Sequence, residues 1–353
     1  MKNITEYILF EMEHNNTPEP AVTVVADLNY DYIYNSGPLE SGKEVIISDF
    51  TKNLAGAGGL VSCGLAKLGA DVYLLTELGE DDEGKLLFDE ISGFGVNRNG
   101  IKLVKNKKSP FTLIFTEEKE EMPRQVATYP GTSKDFSIDA VDYKKYIARS
   151  DLAYSCNYFI LRRLQEEIRF VFKFAKNENV FTSYDANAGD GWENEKSLTT
   201  LKNSIYPLTD IVFLNEREAY FLTRTEDPVK GIRRVSPESI TVVIKLGGRG
   251  VLIRHRDKLY SIRAFPMREK IRDTIGAGDA FQAAFLYFYL RKFPVEICGI
   301  LGAANAASTV IHRGGTSGQC GYKDLIKLIK YYQILDMGGG RISIEFLHTV
   351  HRY

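Results

Sequence analysis

Cysteine and histidine are scarce in this 353-residue chain, and neither forms a metal-binding or catalytic pattern. The four cysteines, none in a CxxC pair, are Cys63, Cys156, Cys298 and Cys320. Their spacing indicates free, buried thiols in a reducing compartment and no disulfide framework. The five histidines include no HExxH sequence. A zinc hydrolase or a Ser/His enzyme therefore has little support.

The chain also lacks an excess of charge of one sign and any long apolar run. Its 45 basic and 46 acidic residues leave a net charge of -1, which provides no basic field for a nucleic-acid backbone. No stretch reaches the roughly 20 apolar residues of a membrane span. Residues 1–20 have none of the three parts of a signal peptide, and we expect a short lead-in helix there. These features predict a cytoplasmic protein without a nucleic-acid or membrane partner.

Apolar strands and amphipathic helices alternate along most of the chain. Strands that read as continuous apolar runs, separated by helices, indicate a parallel sheet covered on both faces, which is an α/β fold. The predicted strands are 21–28, 70–78, 151–156, 180–187, 210–215 and 240–248, and the predicted helices include 58–69, 81–95, 161–177 and 216–223. Residues 331–353 form a C-terminal extension to which the sequence assigns no role.

Two stretches, 30–50 and 109–132, interrupt this alternation and read as β-hairpins. We expect them to form a small β-layer at the edge of the sheet. The first contains GPLESGKE, which nearly matches the phosphate-binding pattern GxxxxGK[ST]. Glu44 stands where that pattern needs a hydroxyl, and a strand-like segment follows where it needs a helix. We therefore interpret GPLESGKE as a hairpin turn.

The segment IRDTIGAGDAFQAAFL, residues 271–286, joins small residues to an acid and an apolar helix. The helix should begin near Gly278 or Asp279, and its first amides carry a partial positive charge. Gly276, Ala277 and Gly278 let an anion approach those amides closely. Asp279 could then take a proton from an attacking hydroxyl, as phosphoryl transfer requires. The alternative is an ordinary turn in which Asp279 only caps the helix.

The same segment resembles the C-terminal signature DTxGAGDxF of the PfkB/ribokinase family of carbohydrate kinases, and further family motifs follow in the family's order. The resemblance covers about residues 21–318. It implies a ribokinase-like three-layer α/β/α sandwich with a mainly parallel central sheet and a small β-sheet lid. The matching segments are 55–69, 78–84, 210–219, 244–250, 273–281 and 302–308. The implied kinase domain is 21–330, with lid segments at about 29–56 and 108–130.

The resemblance implies a role for each residue around the reacting groups. Asp279 is the general base, and the amides of Gly276, Ala277 and Gly278 form the anion hole for the γ-phosphate. The implied substrate contacts are Asn29, Asp31, Gly56 and Asp279. An NxD sequence at the end of a strand is also common in ordinary turns. Substrate binding and a turn therefore both stay open as roles for Asn29 and Asp31.

The resemblance also implies ATP and Mg²⁺ as cofactors. The implied nucleotide contacts are Asn215, Lys245, Gly247, Gly250 and Asn305. Glu218 would order the water shell of Mg²⁺, or else only offset a helix dipole. Asp273 and the carbonyl of Ile275 would hold a monovalent cation such as K⁺, or Asp273 would simply cap the turn. The alternatives to nucleotide binding are an ordinary β-turn at 247–250 and, for Asn305, a polar position on a helix face.

Leu60 stands where family members usually carry a sugar-binding asparagine, so the substrate stays open. We expect ATP-dependent phosphoryl transfer to a hydroxyl of a sugar or sugar acid. A nucleoside kinase is the alternative, because Leu60 and the aromatic stretch YDYIY could line a purine slot. A non-catalytic sugar sensor is a third reading, against which the intact Asp279 argues. The lid hairpins expose strand edges, and pairing them would give a homodimer.

Overall fold

The structure, a computed structural model, describes residues 4–36, 39, 41–116, 124–187, 191–267, 269–336 and 344–346. Its strands are β1 (Ala21–Val25), β2 (Asn29–Ser36), β3 (Ile47–Ala55), β4 (Asp71–Gly79), β5 (Ile101–Val104), β6 (Phe111–Thr116), β7 (Gln125–Tyr129), β8 (Leu152–Cys156), β9 (Phe181–Asp185), β10 (Ile211–Asn215), β11 (Thr241–Lys245), β12 (Val251–His255), β13 (Lys258–Ile262) and β14 (Ile344–Phe346). Its α-helices are α1 (Ile4–His14), α2 (Ala57–Leu68), α3 (Asp82–Gly93), α4 (Tyr143–Ile147), α5 (Leu164–Asn177), α6 (Glu195–Thr200), α7 (Glu216–Thr223), α8 (Pro228–Gly231), α9 (Ala277–Leu290), α10 (Val295–Val310) and α11 (Tyr322–Asp336).

The larger sheet has the strand order β14-β13-β12-β11-β10-β9-β8-β1-β4-β5. From β11 to β5 every neighbouring pair runs parallel, and β12, β13 and β14 continue the sheet antiparallel at one edge. The central strands are almost wholly buried, as the continuous apolar runs predicted. The predicted mainly parallel sheet is therefore confirmed.

Helices cover both faces of this sheet. The helices α1, α2, α9, α10 and α11 pack against one another in one layer, and α3, α4, α5, α7 and α8 contact the strands or each other separately from them. Buried aromatic and aliphatic side chains fill the space between each layer and the sheet. The predicted three-layer α/β/α sandwich is thus the observed architecture, with a parallel sheet that needs both faces covered.

The two predicted hairpins are present and join into one small sheet with the order β3-β2-β6-β7. β2 pairs antiparallel with β3, β6 pairs antiparallel with β7, and β2 and β6 run parallel at the centre. This small sheet is called the lid below. Residues 41–44 of the near match to a phosphate-binding loop are followed by strand β3 and not by a helix, as the hairpin interpretation requires, and residues 37, 38 and 40 lie outside the described residues.

The two ends of the described chain pack together on the large sheet. The predicted lead-in helix is α1, which contacts α11 and contributes Ile8, Leu9 and Met12 to the core. Helix α11 runs past residue 330, which the sequence analysis took as the end of the kinase domain, and β14 extends the sheet beside β13. All four cysteines are free and buried, as predicted. Within the described ranges, no helix combines the length and apolar character needed to cross a bilayer.

Candidate active site

Unpaired amides at the start of α9 define the centre of the site. The helix begins at Ala277 after the cap residue Gly276, which has a φ of 74°, so it starts one to two residues before the predicted position. Within the part of the chain that the structure describes, the amides of Gly276 and Gly278 donate to no acceptor, and the Ala277 amide only approaches the Thr274 carbonyl at 3.4 Å. These groups are free to bind an anion at the positive end of the helix dipole.

A close approach of two loops explains the glycine at the cap. A Cβ atom on Gly276 would lie 2.5 Å from the Cα of Gly315, so a side chain there would collide with backbone. A Cβ on Gly315 would in turn lie 2.8 Å from Cδ2 of Leu60. Leu60 is only 4% exposed and packs beneath this pair of loops. The leucine at the usual asparagine position therefore packs beneath the turn at residues 276–278, which is called the anion turn below.

Asp279 lies in the first turn of α9, beside these amides. The residue is half-buried, and among the described residues its carboxylate has no hydrogen-bond or ion-pair partner. Burial raises the pKa of Asp279 to about 8; Lys245 acts against this rise, and the carboxylates of Asp185, Asp27 and Asp31 add to it. An unpaired carboxyl with a pKa near neutrality suits general-base chemistry.

Asn29 and Asp31 come together at the base of the lid with Gly56. Nδ2 of Asn29 donates to Oδ1 of Asp31 at 3.1 Å, and a Cβ on Gly56 would lie 2.7 Å from Oδ1 of Asn29. Gly56 has a φ of 82° and caps α2. Burial raises the pKa of Asp31 to about 7, with Asn29 opposing and Asp27 supporting the rise. The predicted substrate residues therefore form one polar cluster.

Asp27 belongs to the same cluster, although the sequence analysis did not single it out. Its Oδ2 accepts a hydrogen bond from Nδ2 of Asn157 at 2.7 Å, and its Oδ1 accepts one from the Gly58 amide at 3.2 Å. Asp27 thus ties the end of β1 to the start of α2 and to the loop after β8. The rule that ligand sites lie at the carboxyl ends of parallel strands could have identified it, since it follows β1 directly.

The inner face of the lid points toward the anion turn. Strand alternation puts Asp31 and Asn53 on one face, and a Cβ on Gly314 would lie 2.6 Å from Oδ1 of Asn53. Arg124, just before β7, donates to Oγ1 of Thr274 at 2.9 Å. The lid therefore contacts the loops around α9 at two separate positions. Arg124 was not identified from the sequence because only the folded lid brings it near residue 274.

The tyrosines of β2 occupy the opposite face of the lid. The Tyr30 hydroxyl donates to Glu90 at 2.6 Å, and the Tyr32 hydroxyl donates to Glu83 at 2.9 Å. Both acids lie on α3, so these rings anchor the lid to the sandwich. The suggestion that the aromatic residues of YDYIY line a purine slot is therefore wrong for Tyr30 and Tyr32.

Asn215 and Glu218 form a reciprocal capping box at the start of α7. The Asn215 side chain accepts from the Glu218 amide at 2.9 Å, and the Glu218 carboxylate accepts from the Asn215 amide at 2.7 Å and from its Nδ2 at 2.6 Å. Burial raises the pKa of Glu218, and Asp185 adds to this rise while Lys245 opposes it. Both predicted residues are thus engaged in holding the helix start, which is the structural alternative raised for Glu218.

Lys245, Gly247 and Gly250 border the turn between β11 and β12, but they face different ways. Nζ of Lys245 contacts Oδ2 of Asp185 at 2.6 Å and points under the anion turn. A Cβ on Gly247 would meet nothing within 4 Å, whereas one on Gly250 would lie 2.0 Å from the Ile262 carbonyl oxygen. Gly250 therefore permits strand packing, and only Gly247 presents an open backbone.

Asn305 lies in the interior and cannot flank a nucleotide from this position. Its side chain is 0% exposed, with Nδ2 donating to the Ala280 carbonyl at 2.8 Å and Oδ1 accepting from the Cys320 amide at 2.7 Å. The amide group thus ties α10 to α9 and to the segment before α11. The polar character that suggested a binding role instead satisfies buried backbone groups.

Asp273 connects the two loops that meet at Gly276. Its Oδ1 accepts from the Ile275 amide at 2.9 Å, and its Oδ2 accepts from the Gly314 amide at 3.1 Å. This arrangement brings together Asp273, Ile275 and the 312–315 segment that the resemblance associated with a monovalent cation. A K⁺ site here stays a prediction.

The chemistry around Asp279 suits a cation that arrives with phosphate. Asp27, Asp31 and Asp185 all raise the pKa of Asp279, so negative charge is crowded at this edge of the sheet. No cluster of three or more His, Cys, Asp or Glu side chains arranged to hold a metal occurs among the residues with described positions. Mg²⁺ keeps several waters and takes few protein ligands, so Asp279 fits as a group facing its water shell. Both carboxylate oxygens of Glu218 already accept from Asn215, so the role of Glu218 in ordering this shell stays a prediction.

The chain belongs to the pfkB family of carbohydrate kinases, whose family profile matches residues 20–320. The protein is therefore a carbohydrate kinase, and ATP is the phosphoryl donor expected in this family. This result agrees with the resemblance drawn from the sequence motifs.

Curated relatives cover most of the chain at low identity. An uncharacterized sugar kinase of Archaeoglobus fulgidus is 28% identical over 262 residues, which are 72% of this chain and 97% of that protein. A 5-dehydro-2-deoxygluconokinase of Clostridium botulinum is 24% identical over 335 residues, which are 92% of this chain and 96% of that protein. Both alignments cover nearly the whole length of the relative.

Solved structures show the same fold. The Arabidopsis thaliana ribokinase complexed with ribose and ATP matches with a TM-score of 0.76 at 22% identity, covering 89% of this chain and 99% of that one. A putative ribokinase II from E. coli in complex with ATP and Mg²⁺ matches at 0.78 with 17% identity, covering 88% and 99%. A Methanocaldococcus jannaschii nucleoside kinase matches at 0.70 with 22% identity, covering 89% and 99%. The fold is therefore ribokinase-like.

Replacing Asn305 tests whether this residue is structural. We expect Asn305→Ala to lower the free energy of unfolding by about 1–3 kcal/mol, because the Cys320 amide and the Ala280 carbonyl lose their buried partner. We expect the KM for ATP to stay within about twofold, because the side chain is closed off from any ligand. Thermal or urea unfolding and steady-state kinetics measure the two quantities.

Asn99→Ala is a suitable control because Asn99 is exposed. Its unfolding free energy should change by no more than about 0.5 kcal/mol. A large rise in the KM for ATP in Asn305→Ala, with unchanged stability, would restore the nucleotide-flanking role.

Proposed function

We propose that the protein transfers the γ-phosphoryl group of ATP to a hydroxyl of a sugar or sugar acid, with Asp279 as general base. One observation carries this proposal: an unpaired carboxylate lies in the first turn of a helix whose leading amides are also unpaired. The amides of Gly276, Ala277 and Gly278 are suited to stabilise negative charge on the transferring group. Asp279 is suited to receive the proton that the acceptor hydroxyl loses.

The proposed step is an in-line displacement. The acceptor oxygen forms a bond to the γ-phosphorus, the bond from that phosphorus to the β–γ bridging oxygen breaks, and ADP leaves with that electron pair. The hydroxyl proton passes to Asp279. When bound, Mg²⁺ would supply positive charge to the phosphate oxygens, and Glu218, held by Asn215, would lie near its water shell.

The polar residues at the base of the lid favour a sugar acceptor. Asp31 and Asn29 offer carboxylate and amide groups for hydroxyls, and Gly56 keeps that region free of a side chain. Leu60 and the tyrosines of β2, which suggested a purine slot, are engaged elsewhere. The 5-dehydro-2-deoxygluconokinase relative supports extending the acceptor class to sugar acids.

The lid contributes by excluding water from the transferring phosphoryl group. Arg124 donates a hydrogen bond to Thr274, just before the anion turn, and Asn53 lies against Gly314. The lid contacts the same loop that is proposed to hold the phosphate. Closing the lid would therefore also bring the binding groups of the site together.

A panel of acceptors tests the substrate class. Purified protein with ATP and Mg²⁺ is assayed for ADP release with pentoses, hexoses, aldonic and keto-deoxy sugar acids, and purine nucleosides. We expect the highest kcat/KM with a sugar or a sugar acid, because the polar groups of Asn29 and Asp31 match hydroxyls. Preference for a nucleoside by tenfold or more would favour the alternative kinase class.

Removing the proposed base tests the chemistry. We expect Asp279→Asn to lower kcat by at least about 10²-fold, because general-base catalysis typically contributes 10²–10⁴-fold. Binding of ATP, followed by calorimetry, should be retained, since the anion-binding amides are unchanged. Asp139→Asn, at an exposed aspartate on the surface, should keep wild-type turnover. Turnover of Asp279→Asn equal to wild type would reject the assignment.

The lid is also the proposed dimer interface. Its outer face carries stacked aromatic rings, Tyr34 against Phe50 and Phe115, and Phe50 is 59% exposed. Burying such a surface against a second copy would remove apolar area from water. We expect a dimer in sedimentation experiments and a shift toward monomer in Phe50→Glu. Phe170→Glu, at an exposed aromatic residue outside the lid, is the matched control. A wild-type monomer at micromolar concentration would contradict this assembly.

A further inference from the structure

Lys245 occupies a position between the central sheet and the anion turn. It is the last residue of β11, and its Nζ pairs with Oδ2 of Asp185 at the end of β9 at 2.6 Å. The Lys245 side chain is 17% exposed and Asp185 is fully buried. The ammonium is therefore held in one place by a buried carboxylate.

A chain of buried hydrogen bonds also fixes Asp185. Nε2 of Gln282, on α9, donates to Oδ2 of Asp185, and the Asn187 amide donates to Oδ1 at 3.1 Å. The Tyr154 hydroxyl in turn donates to Oε1 of Gln282 at 2.7 Å. Because Gln282 lies one turn after Asp279, this network connects the anchor of Lys245 to the helix that carries the proposed base.

The ammonium also approaches the anion turn directly. A Cβ atom on Gly278 would lie 3.4 Å from Nζ of Lys245, so the missing side chain leaves the backbone of Gly278 open to the lysine. Segment 244–250, IKLGGRG, resembles the family's nucleotide loop TxGxxG, with Lys245 at the threonine position. A threonine hydroxyl carries no charge and is several bonds shorter, so this contact is specific to the lysine.

The charged groups around Asp279 come from four elements. Lys245 on β11 acts as the opposing positive charge, and negative charge comes from Asp185 on β9, from Asp27 after β1 and from Asp31 on β2. Lys245 itself also faces Glu218 on α7. Burial lowers the pKa of Lys245, but Asp185 and Glu218 outweigh burial and leave this pKa raised. The lysine is therefore charged at neutral pH.

We propose that Lys245 is a positioning residue of phosphoryl transfer, whose ammonium, anchored on Asp185 beside Gly278, favours the ionised form of Asp279 next to the phosphate. This inference rests on the proposed role of Asp279 as general base. It differs from the nucleotide contact predicted for Lys245, because the lysine acts through the charge of another side chain. Asp185 has the opposite influence, since its own charge disfavours ionisation of Asp279.

The pH dependence of kcat/KM tests this inference through the sign of its change. The acidic limb reports ionisation of the base in the free enzyme. We expect Lys245→Met to move this limb upward by roughly one pH unit, with most of the lost activity recovered at high pH. We expect Lys245→Arg to keep the limb near its wild-type position, because the charge remains.

Asp185→Asn gives an opposite expectation. The limb should move to lower pH, because a negative charge near Asp279 is removed and Lys245 loses its competing partner. A purely structural role for the pair predicts a pH-independent loss of activity in both variants. Melting temperatures show whether each variant is folded, and Asp185→Asn retains a readout if Lys245→Met does not fold.

The outcomes separate this inference from the function on which it rests. If Asp279→Asn keeps turnover, the assignment of the base fails and Lys245 has no base to act on. If Asp279→Asn is inactive but the limbs of Lys245→Met and Asp185→Asn coincide with wild type, only the role of Lys245 is overturned. Opposite displacements of the two limbs support the inference.

Discussion

Unpaired amides at the start of α9 are the feature on which the rest of the site depends. The first amides of a helix have no partner within it, and no described carbonyl accepts from the amides of Gly276 and Gly278. Gly276 adopts a left-handed conformation and lies against Gly315. Asp273 holds the two loops in this arrangement by accepting an amide from each. The anion-binding property thus comes from backbone geometry, and side chains serve mainly to maintain it.

Crowding of carboxyl groups is the electrostatic consequence of building the site at one edge of a parallel sheet. Asp27 follows β1, Asp185 ends β9 and Asp31 lies near the start of β2 in the lid, and the charges of all three act on Asp279 of α9. Each raises the pKa of Asp279, which makes that carboxyl a better base and also harder to ionise. A buried lysine and a metal that arrives with the nucleotide are two ways to offset this repulsion.

Leu60, at a position where the resemblance expects asparagine, has a packing role in this structure. Leu60 packs under the Gly276–Gly315 contact, where an apolar side chain fills space that a polar one would leave unsatisfied. In the proposed function, recognition of hydroxyls falls to the base of the lid, around Asn29 and Asp31. The tyrosines of β2 stabilise the lid from its other face through α3.

Sequence alone determined the order of strands and helices, the two hairpins, the glycine turn before α9 and the family, because periodicity and short motifs act over a few residues. Tertiary structure decided which polar residues reach the site. Asn305 is buried, Glu218 is engaged by Asn215, and Arg124 reaches Thr274 only through the folded lid. Lys245 and Asp185 are 60 residues apart in the chain and meet because β9, β10 and β11 run in parallel register. Such contacts depend on packing between distant segments, which no local pattern encodes.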